Sequence, residues 1–109
     1  MALDFGAMGD LVKQAQEMQK KISEMQAEMA RRTVTATAGG GMVTATANGA
    51  GALVSVKLEK EIVNPDDVDM LGDLVLAAVN EALKKSQDMV AQEMSKVTGG
   101  LNLPGLFGN

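Results

Sequence analysis

Hydrophobic and polar residues are distributed along this chain with distinct periods, and each period assigns an element. From Leu11 the apolar positions run Leu11, Ala15, Met18, Ile22, Met25 and Met29, at spacings of 4, 3, 4, 3 and 4. This seam repeats every ~3.5 residues, the pattern of a helix that packs lengthwise on another helix. No glycine or proline interrupts it before Thr33. The spacing predicts a helix from residue 10 to about residue 31, capped by Asp10 and roughly 33 Å long. So long a rod overhangs a small sheet, and its narrow stripe needs a partner helix from the same chain or another copy.

The next stretch alternates with period two. In residues 33–38, Val34, Ala36 and Ala38 point one way and the threonines the other. In residues 42–47, Val43, Ala45 and Ala47 oppose Thr44 and Thr46. In residues 52–59, Val54, Val56 and Leu58 oppose Ser55, Lys57 and Glu59. Gly39-Gly40-Gly41 joins the first two strands, and Asn48-Gly49 opens the second turn, tolerating the positive φ angles that hairpins require. The glycine run joins strand to strand and lacks a following Lys-Ser/Thr, so it reads as a turn rather than a phosphate cradle. A three-stranded antiparallel meander with one weakly apolar face follows.

A helical period then returns. Asn64 is a suitable cap, Pro65 suits a first helical turn, and Asp66, Asp67, Asp69 and Asp73 favour the positive end of the helix dipole. These acids lack the spacing of a calcium loop and read as structural. Val68, Leu71, Val75, Val79, Ala82, Ser86, Met89/Val90, Met94 and Val97 carry the helix to about residue 98. Leu74, Leu76, Ala78 and Leu83 widen the stripe in its first half. That half is expected to lie against the sheet with apolar surface left for another chain. The chain is thus one domain, residues 1–109, of α+β class. Its subunit order is α-β-β-β-α, a three-stranded antiparallel sheet with two long helices. Residues 1–9 are expected to form a flexible N-terminal arm and residues 99–109 a flexible C-terminal tail.

Composition turns this architecture towards assembly. A buried alanine side chain contributes well under about 1 kcal/mol, so alanine- and threonine-rich strands supply little core. A domain of 109 residues then needs help, and cysteine and histidine are both absent. Disulfides, thiolate chemistry and nearly all zinc or haem sites are removed, and no cofactor is expected. Oligomerisation remains, and a two-fold homodimer is expected. The same absences remove the Cys nucleophile and the Ser–His pair and argue against an enzyme. Trp and Tyr are missing, and Phe5 and Phe107 lie in the glycine-rich ends, which leaves no stacking platform for single strands. No apolar run of about 18 residues and no signal peptide are present, so a soluble cytoplasmic protein without a membrane partner is expected.

Charge points two ways. The sum is −4, from 14 acidic and 10 basic residues, which on its own argues against nucleic acid. The distribution is uneven, with Lys13 and Lys20 farthest from the seam of the first helix and Lys21 beside it. Glu17 with Lys21, and Glu28 with Arg32, are spaced for helix-stabilising pairs.

Several segments resemble one family. LVKQAQEMQKKISEMQAEM is similar to its LMKQAQ-type first helix, and VTATANG to its second hairpin. NPDDVDMLGDLVLAAVNEALKKSQ resembles its acidic helix start and LEDLVxAAxNxA core, and SKVTGGLNLPGLF its glycine–leucine–proline tail. In order and spacing these cover nearly the whole chain, and they resemble the YbaB/EbfC family of bacterial nucleoid-associated proteins. The resemblance implies a tweezer-like homodimer that binds double-stranded DNA, resides in the nucleoid, influences nucleoid organisation and gene expression, and has no enzymatic activity or cofactor. On that basis the expected DNA-binding residues are Lys13, Lys20, Lys21, Arg31 and Arg32 on the first helix and Lys84, Lys85 and Lys96 on the last, lining a groove between projecting arms. Their contacts would be mainly to phosphates, largely sequence-independent and weakened by salt. The alternative is an adaptor module that engages DNA replication or recombination proteins through the methionine-rich seam or the C-terminal tail.

Overall fold

The computed structural model describes residues 5–99. In chain order it contains helix α1 (Phe5–Arg31), strands β1 (Thr33–Ala38), β2 (Val43–Asn48) and β3 (Leu53–Leu58), a short 3-10 turn (Lys60–Ile62) and helix α2 (Val68–Gly99). The order is the α-β-β-β-α expected from the periodicities. The strands form one antiparallel sheet in the order β1-β2-β3.

Strands β2 and β3 are displaced or trimmed by one residue from the sequence expectation, and the helix boundaries and the tail differ as well. Helix α1 starts at Phe5, so Asp10 lies inside the helix and residues 5–9 are helical; residues 1–4 lie outside the described part. Helix α2 starts at Val68, not at Asn64. Asn64 instead closes a turn, its side-chain oxygen accepting from the Asp66 N–H at 3.0 Å and its carbonyl from the Asp67 N–H at 2.9 Å. The cap is Asp67, whose carboxylate accepts from the Met70 N–H at 3.2 Å, one of the orphan donors of the first turn. The tail expected at 99–109 has its first residue as the last of α2, and the rest lies outside the described residues.

The core is as lean as its composition implies. Register pairs Ala36 with Ala45 and Ala38 with Val43, so the alanine–valine face is continuous across β1 and β2. Helix α2 lays Ala78 and Ala82 on that face, burying Ala36, Val43, Ala45 and Ala47. Alanine meeting alanine brings the helix axis close to the sheet, and the larger Val75, Val79 and Leu83 pack around the rim. The helix covers β1 and β2 and leaves β3 largely open. A bulge at Thr46/Ala47 shifts the register of β3. Val56 and Leu58 pair with Ala45 and Val43 and share their face, yet both stay well exposed, as do Leu53 and Val54.

A second, smaller cluster joins the helices. Met25 and Met29 of α1 meet Met89 of α2, with Val34 and Val90 packed alongside. This methionine joint lies at the C-terminal end of α1. The rest of the helix projects, and the chain measures 81 × 29 × 17 Å. At about 1.5 Å per residue, α1 and α2 are roughly 40 and 48 Å long. The N-terminal half of the seam has no cover: Leu11 is 66% exposed, and Met8 and Val12 are also open.

Candidate nucleic-acid interface

The root of α1 is held by the β2–β3 turn. Ser86, buried in α2, donates its hydroxyl proton to the Asn48 carbonyl and locks one side of that turn to the helix. The Asn48 side-chain oxygen accepts from the Ala50 and Ala52 N–H groups at 2.9 and 3.1 Å, shaping the turn from within. The Gly49 N–H donates to the Met29 carbonyl at 2.9 Å and satisfies a terminal acceptor of α1. The sequence expectation gave Asn48-Gly49 the positive φ. In the structure the positive φ of 80° belongs to Gly51, and Gly49 is required for closeness.

The eight candidate cations fall into two groups. Counting about 100° per residue round α1, Lys13, Lys20 and Arg31 share one line opposite the seam, and Lys21 stands on its flank. All four are exposed. Because the seam turns towards α2 at Met25 and Met29, the line of Lys13, Lys20 and Arg31 faces away from α2. Lys84 is likewise exposed and lies nearly opposite the buried Ala82 side of α2. Within one subunit these residues do not line a common groove. Glu17 and Glu24 stand beside the basic line, so it is a mixed face rather than a purely positive one.

The second group is already engaged. Glu93 Oε1 accepts from Arg32 at 3.2 Å and from Lys96 at 3.1 Å, forming one exposed triad across the joint. The hydrogen bond from Lys96, and after it that from Arg32, holds the Glu93 carboxyl below the usual carboxylate range. Lys85 Nζ donates to the Thr35 carbonyl at 3.1 Å, tying α2 to strand β1. The helical pairs expected between Glu17 and Lys21, and between Glu28 and Arg32, do not form. Arg32 lies one residue beyond α1 and reaches across to Glu93 instead. Lys13, Lys20, Lys21, Arg31 and Lys84 make no ion pair among the described residues.

Sequence reasoning missed Glu93. Its partner Lys96 is three residues on and legible as a helical pair. Arg32 is 61 residues away, a proximity that only the crossing of α1 over α2 creates. Among the described residues no acidic or other group is arranged to hold a metal ion, and no helix is long and apolar enough to cross a membrane.

The chain is thus an α+β unit with a lean sheet, an apolar face of β3 left uncovered by α2, and a projecting helix with a line of cations in a mixed-charge back. Residues 5–101 match the model of the YbaB/EbfC DNA-binding family, and the chain belongs to that family. A nucleoid-associated protein of Thermoanaerobacter pseudethanolicus is 56% identical over 100 residues, covering 92% of this chain and 90% of its own. A nucleoid-associated protein of Pelotomaculum thermopropionicum is 52% identical over 102 residues, covering 94% of this chain and 97% of its own. The names of the family and of these relatives are those of DNA-binding and nucleoid proteins and specify no enzyme. The crystal structure of an uncharacterized Helicobacter pylori protein has the same fold, with a TM-score of 0.61 at 22% identity over 73% of this chain and 93% of its own.

Proposed function

We propose that this protein is a nucleoid-associated protein that binds double-stranded DNA as a homodimer, through phosphates, and thereby influences nucleoid organisation and gene expression. The observation that carries the reading is the line of Lys13 and Lys20 on the projecting back of α1, continued by Arg31 at its root, with none of the three in an ion pair among the described residues. Family membership supports DNA as the ligand. Local cations on a rod act within a Debye length of about 8 Å, so a net charge of −4 does not govern contacts made at the rod. The uncovered face of β3, with Leu53, Val54, Val56 and Leu58 exposed along one strand, supports a second copy as its cover. The open seam of α1 around Leu11 extends the same argument. In such a dimer two basic lines follow the duplex mainly through phosphate contacts, which fix position and carry no sequence information themselves.

A salt-titrated gel shift on duplex DNA, with the mass in solution measured alongside, tests this. Retardation at low salt is expected, with log affinity falling linearly against log salt by about 0.9 per neutralised phosphate. A particle of 11.3 kDa, or no retardation at about 50 mM salt, overturns it. Absent retardation together with a protein partner retained through the tail would favour the adaptor reading instead.

A further inference from the structure

Two shallow apolar hollows flank the Gly49–Gly51 turn. One, of about 330 Å³, runs from Met25, Gln26 and Met29 of α1 to Val90 of α2. The other, of about 360 Å³, continues past Val90 to Ser86, Gln87 and Ala91. Both include Gly49, Ala50 and Val90, so they form one trough that crosses from the root of α1 over the turn and up the side of α2. Among the described residues no charged side chain lines either hollow. A continuous neutral trough with methionine at one end accepts aliphatic and aromatic groups of varied shape.

The same chain supplies a segment of matching chemistry. Residues 100–109 read GLNLPGLFGN, with Leu101, Leu103, Leu106 and Phe107 and no charged side chain. Gly99-Gly100 permits a sharp reversal where α2 ends. Ala91 precedes Gly99 by eight residues, about 12 Å along the helix. Ten extended residues span up to roughly 33 Å, so the segment can return to Ala91 within about four residues and have length left for the turn. That count brings Leu103 level with Ala91 and Leu106-Phe107 level with Ala50 and Met29. We propose that residues 101–107 of the same chain fold back into this trough, with Leu106 and Phe107 seated beside Val90 and Met29, and strap the root of α1 to α2. The strap does not depend on DNA binding.

The cysteine-free sequence makes a clean test. The full chain with Ala50→Cys and Gly108→Cys is oxidised at low micromolar concentration, and products are resolved by non-reducing gel and intact mass. The comparison pair is Gln92→Cys with Gly108→Cys, since Gln92 is exposed, stands about 100° or more round α2 from Ser86, Gln87, Val90 and Ala91, and is within reach of an extended tail. The Ala50 pair is expected to close within one chain about tenfold faster than the Gln92 pair, reflecting a raised local concentration. Adding Leu106→Asp and Phe107→Asp, which alter nothing in the described fold, is expected to abolish that preference. Equal closure rates for the two pairs overturn the proposal. So does a covalent dimer as the main product of the Ala50 pair, which would place a second copy's tail in the trough.

Discussion

The Gly49 N–H donates to the Met29 carbonyl at 2.9 Å, and a Cβ on Gly49 would stand only 2.3 Å from that same oxygen. One contact thus sets both the fastening of the projecting helix and the requirement for glycine. Backbone cannot yield as a side-chain tip can. Gly49→Ala is expected to lower stability by about 1–3 kcal/mol, the cost of overpacking, and to loosen α1 at its root. Urea denaturation measures the first, and faster amide exchange in the last turn of α1 reports the second.

Gly72 is the opposite case. It lies inside α2 with open space where a Cβ would go and no positive φ. Gly72→Ala is expected to raise stability by about 0.8–1 kcal/mol through helix propensity alone. The same urea titration checks it, and an unchanged or lower midpoint would mean that this position is covered in the assembled protein.

Ala45 tests why the sheet is so lean. It is wholly buried in the cluster that includes Ala78 and Ala82. A larger side chain has nowhere to go without lifting α2 from the sheet. Ala45→Leu is expected to cost about 1–3 kcal/mol despite adding apolar surface, measured as a lower thermal midpoint. A stabilised variant would show that the helix rides higher than the alanine contacts imply.

These cases mark what the residues made legible. The period-two run of Val34, Ala36 and Ala38, and of Val43, Ala45 and Ala47, gave the face that α2 covers, because alternation leaves no other choice of side. The seam gave α1 its buried end at Met25 and Met29. It could not say that the contact stops there, since seam length does not specify how far a partner extends. Glycine at 49 and at 51 looks alike in the sequence, because closeness and positive φ select the same residue for different reasons. Asn64 and Asp67 are both competent caps, and only the proline turn between them decides that α2 starts after Asp67. Among the candidate cations, type and exposure were readable, but the engagement of Arg32 and Lys85 was not. Both reach partners far off in sequence, Glu93 and the Thr35 carbonyl.

Acid should weaken the Glu93 triad. Glu93 is held below the usual carboxylate range in the folded chain, first by Lys96 and then by Arg32. As pH falls, the unfolded chain therefore takes up this proton before the folded chain does. The stabilising contribution is full above the unfolded value and is lost as pH drops through the lowered folded value. Glu93→Gln is expected to melt below the parent at neutral pH, with the gap closing as pH falls through and below the usual carboxylate range. A gap independent of pH would detach the effect from this carboxylate.

The two groups of cations predict an order of effects on DNA. Lys13, Lys20, Arg31 and Lys84 make no ion pair among the described residues, so each can give its whole charge to a phosphate. Replacing one of them with Ala removes two phosphate contacts per dimer and should reduce the steepness of the log affinity against log salt line by about 1.8, at about 0.9 each. Lys85 already donates to the Thr35 carbonyl, and Arg32 and Lys96 share Glu93. Their replacement should change that slope less, because part of their charge is spent within the protein. Lys85→Ala should instead loosen α2 from β1, seen as a lower thermal midpoint with the salt slope retained. If Lys85, Arg32 and Lys96 prove the steeper set, DNA lies against the inner side of the joint, and the back of α1 is not the surface that meets phosphate.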